Sequence, residues 1–295
     1  MVSLAGMEDH MAEQHDARVE EPARQGTQQE WEQVRILGDV TYLEAGLPGA
    51  PPLMFLHGIG GAARGFLPQL DHFGRAWRAV AWDMPGHGGS SPLEIVSIDS
   101  LTAALAGFLA QAGLDRPVLV GHSLGGMVAQ RLLALQPHAV RALVLAQTSA
   151  AFGSRDPAWG EGFVAARLGP LDAGHTMAGL ADGMVAEVVG DDPDPAGIDL
   201  ARWCYAHTPD STYRDTVRAL PGFDMRDVLG RIGVPTLVLA GSQDRNAPPA
   251  GMRRMAAHIP GAAYAELPGA GHLAHLEQPA AFNAALQGFL DGLPK

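Results

Sequence analysis

The 295-residue sequence holds one cysteine, Cys204, and one lysine, Lys295, so 19 of its 20 basic residues are arginines. A single cysteine excludes an internal disulfide and a cysteine-based metal site, and it suits a reducing compartment. Cys204 therefore reads as a small buried apolar residue rather than a reactive thiol. Positive charge is also scarce: 32 acidic residues against 20 basic ones give a formal net charge of −12. That balance argues against nucleic acid or an anionic membrane surface as a partner, because binding phosphates takes a clustered positive face. No apolar run approaches the roughly 20 residues of a membrane span. The first 30 residues carry early acids and lack the apolar segment of a secretory signal, so residues 1–30 read as a disordered, solvated acidic tail. These absences leave a small molecule as the expected partner and the cytoplasm as the expected location; between monomer and homodimer the sequence does not choose.

The remaining sequence alternates between two rhythms. "QVRILGDVTYLEAG" reads as two strands broken at Gly38-Asp39, and "PPLMFLHGIGG" and "WRAVAWDMPGHGGSS" as buried strands that run into glycine-rich loops. Residues 99–112 have helical spacing, with Asp99 or Ser100 as the expected N-cap. "RPVLVGHS" is a further strand, 124–135 a helix and "RALVLAQTS" the next strand. After an interruption from 150 to 224, "VPTLVLAGSQD", a helix near 248–258, the strand "AAYAELPGAGH" and a helix at 279–291 resume the pattern. Strands alternating with helices predict an α/β fold, a mostly parallel sheet with helices on both faces. The core is expected over 31–149 and 225–295. The interruption, with short helical patches at 161–168, 175–189 and 198–206, reads as a helical lid inserted between sheet strands.

Gly121-His122-Ser123-Leu124-Gly125 stands where the strand gives way to the helix. The G-x-S-x-G pattern alone is weak, and Ser123 could simply cap the helix. In a strand-turn-helix context, however, it describes a sharp turn that lifts the serine hydroxyl above the sheet edge, beside the positive end of a helix. A serine hydroxyl is a poor nucleophile at neutral pH, so a base must lie within reach and a third group must orient it. "LVLAGSQDRNAPP" delivers Asp244 to the loop after one later strand, and "LPGAGHLAHLEQP" delivers His272 after the next. Asp244 has a rival reading as a turn or N-cap aspartate, and His275 is the rival of His272. His57 and His122 read as hydrogen-bonding supports for the reacting loops, with His122 also a candidate for substrate contact. The backbone N–H groups of Ile59, in "HGIGG", and Leu124 are the candidates for an oxyanion hole.

"LHGIGG", "DMPGHGGS", "GHSLGG", "LAGSQDRNAPP" and "GAGHLAHLEQP", in that order, resemble the α/β-hydrolase superfamily over about residues 34–292. Within it, "HGIGGAARGFLPQL" and "RALVLAQTSAAFGSRDPAW" are similar to 3-oxoadipate enol-lactonases. Two differences stand out: Gln147-Thr148-Ser149 replaces an N-T-A-like segment, and the elbow reads G-H-S-L-G rather than G-L-S-M-G. The resemblance implies a serine hydrolase of a small carboxylic ester or lactone, with Ser123, His272 and Asp244 as the triad and no cofactor or metal. A C–C bond hydrolase of a ring-fission diketone and a non-catalytic receptor on the same fold are the competing readings. In the lid, Trp203 and His207 lie four apart on one helical face and are candidates for an aromatic substrate wall. Arg155, Arg167, Arg202, Arg214 and Arg218 are candidates for a substrate carboxylate. "GDDPDP" at 190–195 reads as a solvated loop rather than a cation site.

Overall fold

Val118–His122 is buried at every position and forms the middle of an eight-stranded sheet in a computed structural model that describes residues 33–153 and 157–294. The expected acidic tail and Arg155 lie outside the described residues. In chain order the strands are β1 (Arg35–Leu37), β2 (Val40–Ala45), β3 (Pro52–Leu56), β4 (Arg78–Trp82), β5 (Val118–His122), β6 (Ala142–Ala146), β7 (Thr236–Gly241) and β8 (Ala263–Leu267). Across the sheet the order is β1-β2-β4-β3-β5-β6-β7-β8. β1 and β2 run antiparallel at one edge, and every other pairing from β4 to β8 is parallel.

The helices are α1 (Leu67–Phe73), α2 (Ile98–Gln111), α3 (Leu124–Leu135), α4 (Pro157–Asp172), α5 (Met177–Val188), α6 (Pro195–Ala206), α7 (Asp210–Arg218), α8 (Pro249–His258), α9 (Ala274–Glu277) and α10 (Pro279–Asp291). The two-residue repeat of a strand sends alternate side chains to opposite faces. Along β3, Leu53 and Phe55 pack with Phe66, just before α1, with Leu70 and Phe73 of α1, and with Phe282 and Leu286 of α10. Met54 and Leu56 point the other way, into a core built with Leu101 and Leu105 of α2, Val128 and Leu132 of α3, and Met252 of α8. Both faces are dry, which is why these strands read as unbroken apolar runs. Each such buried Leu or Phe contributes about 1.5–3 kcal/mol of transfer free energy.

One cap differs from expectation. The N-cap of α2 is Ser97, whose hydroxyl accepts the Ser100 amide at 3.0 Å while the Ser100 hydroxyl accepts the Ser97 amide at 2.9 Å. This reciprocal pair satisfies two otherwise orphaned donors and starts the helix two residues early. Asp99 instead lies in the first turn and pairs with Arg131 of α3.

Between β6 and β7 the chain runs through α4 to α7. The ends of this insertion meet where Ala151 bridges Asp224 and Met225 donates its amide to Ala150. α4 and α6 are longer than the expected patches at 161–168 and 198–206, α5 lies within the expected 175–189, and α7 is an additional helix. Asp194 caps α6 through the Ala196 amide and Pro195 starts the helix, three residues ahead of the expected beginning. Among the described residues no helix is long and apolar enough to cross a membrane.

Candidate active site

β5 ends at His122 and α3 begins at Leu124, so the whole change of direction falls on Ser123. Its backbone sits at φ 51°, ψ −118°, a conformation that an L-residue holds only at a cost of about 1–3 kcal/mol and only where its surroundings enforce it. The enforcement is visible. The Ser123 amide donates to Ala146 at 3.0 Å, and its carbonyl accepts from the Gly126 amide at 2.9 Å and the Thr148 hydroxyl at 2.7 Å. The turn also demands close backbone approach: a Cβ on Gly125 would stand 2.4 Å from the Leu56 carbonyl oxygen, and one on Gly121 would stand 2.6 Å from Gly126 Cα. Gly125→Ala is therefore expected to cost about 3 kcal/mol, the upper end for overpacking. In a chemical melt, Gly107→Ala, at a helix position where a Cβ meets nothing within 4 Å, should be neutral or slightly stabilising. Equal stability of the two variants would contradict this account of the turn.

The Ser123 side chain caps nothing. Its hydroxyl lies 3.0 Å from His272 Nε2, and His272 Nδ1 lies 2.8 Å from Asp244 Oδ2. A carboxylate only accepts, so Nδ1 carries the proton and Nε2 presents its lone pair to the serine. The other Asp244 oxygen accepts the amides of Asn246 and Ala247 at 2.8 and 2.9 Å. Burial alone would raise the Asp244 carboxyl, but the His272 charge and hydrogen bond and these two amides outweigh it and hold the pKa below the usual value. The carboxylate thus stays ionised at neutral pH, although Asp244 is only 3% exposed.

The expected supports are in place behind this row. His57 Nε2 accepts the Met84 amide at 2.9 Å, tying the loop after β3 to the loop after β4. His122 Nε2 lies 2.7 Å from the His272 carbonyl, so it must be the protonated, donating nitrogen. Burial, reinforced by the neighbouring His272, pushes the His122 pKa down to about 3 and keeps the ring neutral. His275, the rival base, is buried with its ring 4.6 Å from that of His122 and stacked on Phe66, and the hydrogen bond to the Ser123 hydroxyl is made by His272 instead. The loop carrying Ile59 is brought up to the serine at Gly58, where a Cβ would lie 2.9 Å from Ser123 Cβ. Leu124 is the first residue of α3, where no preceding helical turn supplies an acceptor for its amide.

These groups open onto a cavity of about 410 Å³, bordered by Ser123, His272 and His122, by Ile59, and by side chains of α4, α5, α6 and α7. Trp203 and His207 are not on its wall, contrary to expectation. They stack on each other at 4.1 Å on the outer face of α6, with the Arg64 guanidinium over the indole. The inward face of α6 carries Ile198, Ala201 and Tyr205, so Tyr205 is the aromatic that α6 gives to the cavity. Cys204 is buried as expected, and burial pushes its thiol up to about 12. The 190–195 loop is tied down by Gly190 to Glu277 and Asp191 to Gln243, and among the described residues no cluster of His, Cys, Asp or Glu is arranged to hold a metal.

The sequence model of the Alpha/beta hydrolase family matches residues 53–285. The chain belongs to this family. 3-Oxoadipate enol-lactonase 1 of Acinetobacter baylyi is 28% identical over 84% of this chain and 91% of its own length. The crystal structure of the enol-lactonase from Burkholderia xenovorans superposes with a TM-score of 0.78 at 26% identity, covering 88% of this chain and 100% of the other. Polyketide synthase ThaQ of Burkholderia thailandensis is 31% identical over 82% of this chain, a match that spans only 12% of the synthase.

In this member of the family, one residue beside the site escaped the sequence reading. Glu277, on α9, accepts the amides of Gly271 and Leu273, which flank His272, both at 2.8 Å, and that of Gly190 at 2.7 Å. Burial raises its carboxyl, while the three amides pull the other way. Its position five residues after His272 is a legible spacing, but its role emerges only once the loop folds back over α9.

Proposed function

We propose that the chain is a cofactor-independent serine hydrolase that cleaves small carboxylic esters or lactones. The observation that carries this reading is the continuous row from Ser123 Oγ through His272 to Asp244, set on a strained turn at the floor of the cavity. In the proposed reaction the Ser123 oxygen attacks the substrate carbonyl carbon while His272 Nε2 takes its proton. The charge that develops on the carbonyl oxygen falls to the N–H groups of Ile59 and Leu124. Collapse of the tetrahedral adduct expels the alkoxide, which takes the proton back from Nε2, and leaves an acyl-Ser123. Water then attacks the acyl carbon, giving its proton to His272, and collapse of this second adduct breaks the bond to Ser123, whose oxygen recovers the proton from Nε2 as the acid leaves. With a lactone the leaving oxygen stays tethered, so one product forms. Asp244 fixes the imidazole tautomer and balances its transient charge. The α4–α7 insertion is the lid of this proposal, closing the cavity over Ser123 and choosing the substrate. The likeness to enol-lactonases supports the lactone side of the reading.

A panel of p-nitrophenyl acetate, an enol-lactone and a ring-fission diketone tests it. The expected result is turnover of the ester and the lactone. Turnover of the diketone with neither ester nor lactone consumed would replace this reading with C–C bond hydrolysis. No turnover of any of the three, with no acyl-enzyme formed, would favour a binding protein.

A further inference from the structure

The imidazole of His272 goes where its backbone carries it, and that backbone is held from two sides. On the core side, His122 of β5 donates to the His272 carbonyl at 2.7 Å. On the other side, the His272 amide donates to the carbonyl of Val188, the last residue of α5, at 2.8 Å. The insertion itself therefore holds the base. The attachment continues through residues 188–194, the link between α5 and α6. Gly190 donates its amide to Glu277 at 2.7 Å, and the same carboxylate accepts the Gly271 and Leu273 amides on either side of the base. The Asp191 amide lies 3.0 Å from the Gly269 carbonyl and 2.9 Å from Oε1 of Gln243, the residue before Asp244. Asp194 donates its amide to the Glu277 carbonyl at 2.8 Å. Two glycines let these backbones meet: a Cβ on Gly190 would stand 2.1 Å from the Gly269 carbonyl oxygen, and one on Gly271 would stand 2.5 Å from that of Val188.

A roof over the cavity needs no bond to the base. Here residues 188–194 tie the loops of His272 and Asp244 to α5, and α5 presents Met184 and Val188 to the cavity. Val188 thus borders the substrate space and also holds the base. We infer that residues 188–191 and Glu277 are positioning elements for His272, so that the insertion completes the triad as well as covering it. Glu277 is the node, because one carboxylate joins the Gly190 amide of the insertion to both neighbours of His272. A catalytic side chain works only when its supports hold it close to the productive geometry, and a misplacement of about 1 Å costs roughly 100-fold in rate. The inference rests on the serine-hydrolase reading of the same triad and extends it to the insertion.

The test approaches the link from both ends. Glu277→Gln keeps an oxygen for two of the three amides and sets an NH2 group against the third, whereas Glu277→Met leaves all three without an acceptor. On p-nitrophenyl acetate kcat should fall roughly 10-fold in the first and roughly 100-fold in the second, with KM within about twofold of native. Gly190→Ala acts from the insertion with Glu277 intact and should also lower kcat by roughly 10-fold at unchanged KM. The same changes are then made in His272→Ala, whose residual turnover no longer passes through the base. There Glu277→Gln and Gly190→Ala should cause no further loss, because groups that act through one residue are not additive with its removal. An equal fold-loss with and without His272, a rise in KM at native kcat, or native kinetics in both variants overturns the inference. Amide exchange in the Ser123→Ala protein needs no turnover and separates this inference from the reading beneath it. Either change should speed exchange across 269–274 together with 186–191. Unchanged exchange at 269–274 overturns the positioning role, whereas absence of ester turnover by the native protein overturns the hydrolase reading alone.

Discussion

Ser123→Ala is expected to lower p-nitrophenyl ester hydrolysis by about 10⁴- to 10⁶-fold while leaving the fold intact, the scale seen when a nucleophile that works as one unit with its base is removed. The expectation follows from the geometry. The hydroxyl caps nothing and bonds no backbone group, so its loss breaks only the 3.0 Å contact with His272 Nε2. The alanine must still adopt φ near 51°, but the amide and carbonyl bonds that hold the turn use backbone atoms of residue 123 and survive the change. Thermal melting within a few degrees of the native protein, together with the loss of turnover, is the expected pair of results. A variant that melts normally and retains a tenth of the activity would remove Ser123 from the chemistry.

Acidification from pH 7 to 5.5 is expected to destabilise the fold by up to about 5 kcal/mol, a large share of the 5–15 kcal/mol that holds a typical domain together. Four buried histidines carry this effect. Burial is the largest cause in each case: His87 is pushed down to about 4 and His122 to about 3, and His57 and His275 are held well below the ordinary imidazole value of 6.5. In the unfolded chain each takes up a proton near pH 6.5, whereas in the folded protein each stays neutral. Between pH 6.5 and the depressed values the unfolded state therefore binds more protons. Stability is full above pH 6.5 and falls as the pH drops, by up to about 1.4 kcal/mol per pH unit for each histidine. Asp83 and Glu277, whose carboxyls burial raises, act in the opposite sense at lower pH and offset part of the loss there. Urea melts across this range check the slope, and a flat profile between pH 7 and 5.5 would contradict the neutral, buried assignment.

The core was legible in the sequence because parallel strands covered on both faces must be apolar throughout, as "VLVGH" and "ALVLA" are, and because the glycines of the elbow leave room for backbone contact. The pairing of Ser123 with His272 and Asp244 was legible for a related reason: each stands just after a strand, and parallel strands bring those ends to one edge of the sheet. The insertion was harder. α7 reads "DSTYRDTVR" and buries Thr212, Tyr213, Thr216 and Val217, a face half made of threonines, which shows no apolar stripe. Threonine can be buried there because the Thr212 hydroxyl donates to the Gly86 carbonyl and the Thr216 hydroxyl to the Thr212 carbonyl. Trp203 and His207 drew attention as aromatics on one helical face, but which face turns inward depends on packing against α9 and α5, and that choice belongs to Tyr205.

The most direct test of the central claim is the fate of the protein after exposure to a fluorophosphonate, read by intact mass and peptide mapping. The account predicts a single adduct on Ser123, absent from Ser123→Ala and formed at least a hundredfold more slowly in His272→Ala. An adduct on another residue, or ester turnover by a protein that acquires no adduct, would contradict it.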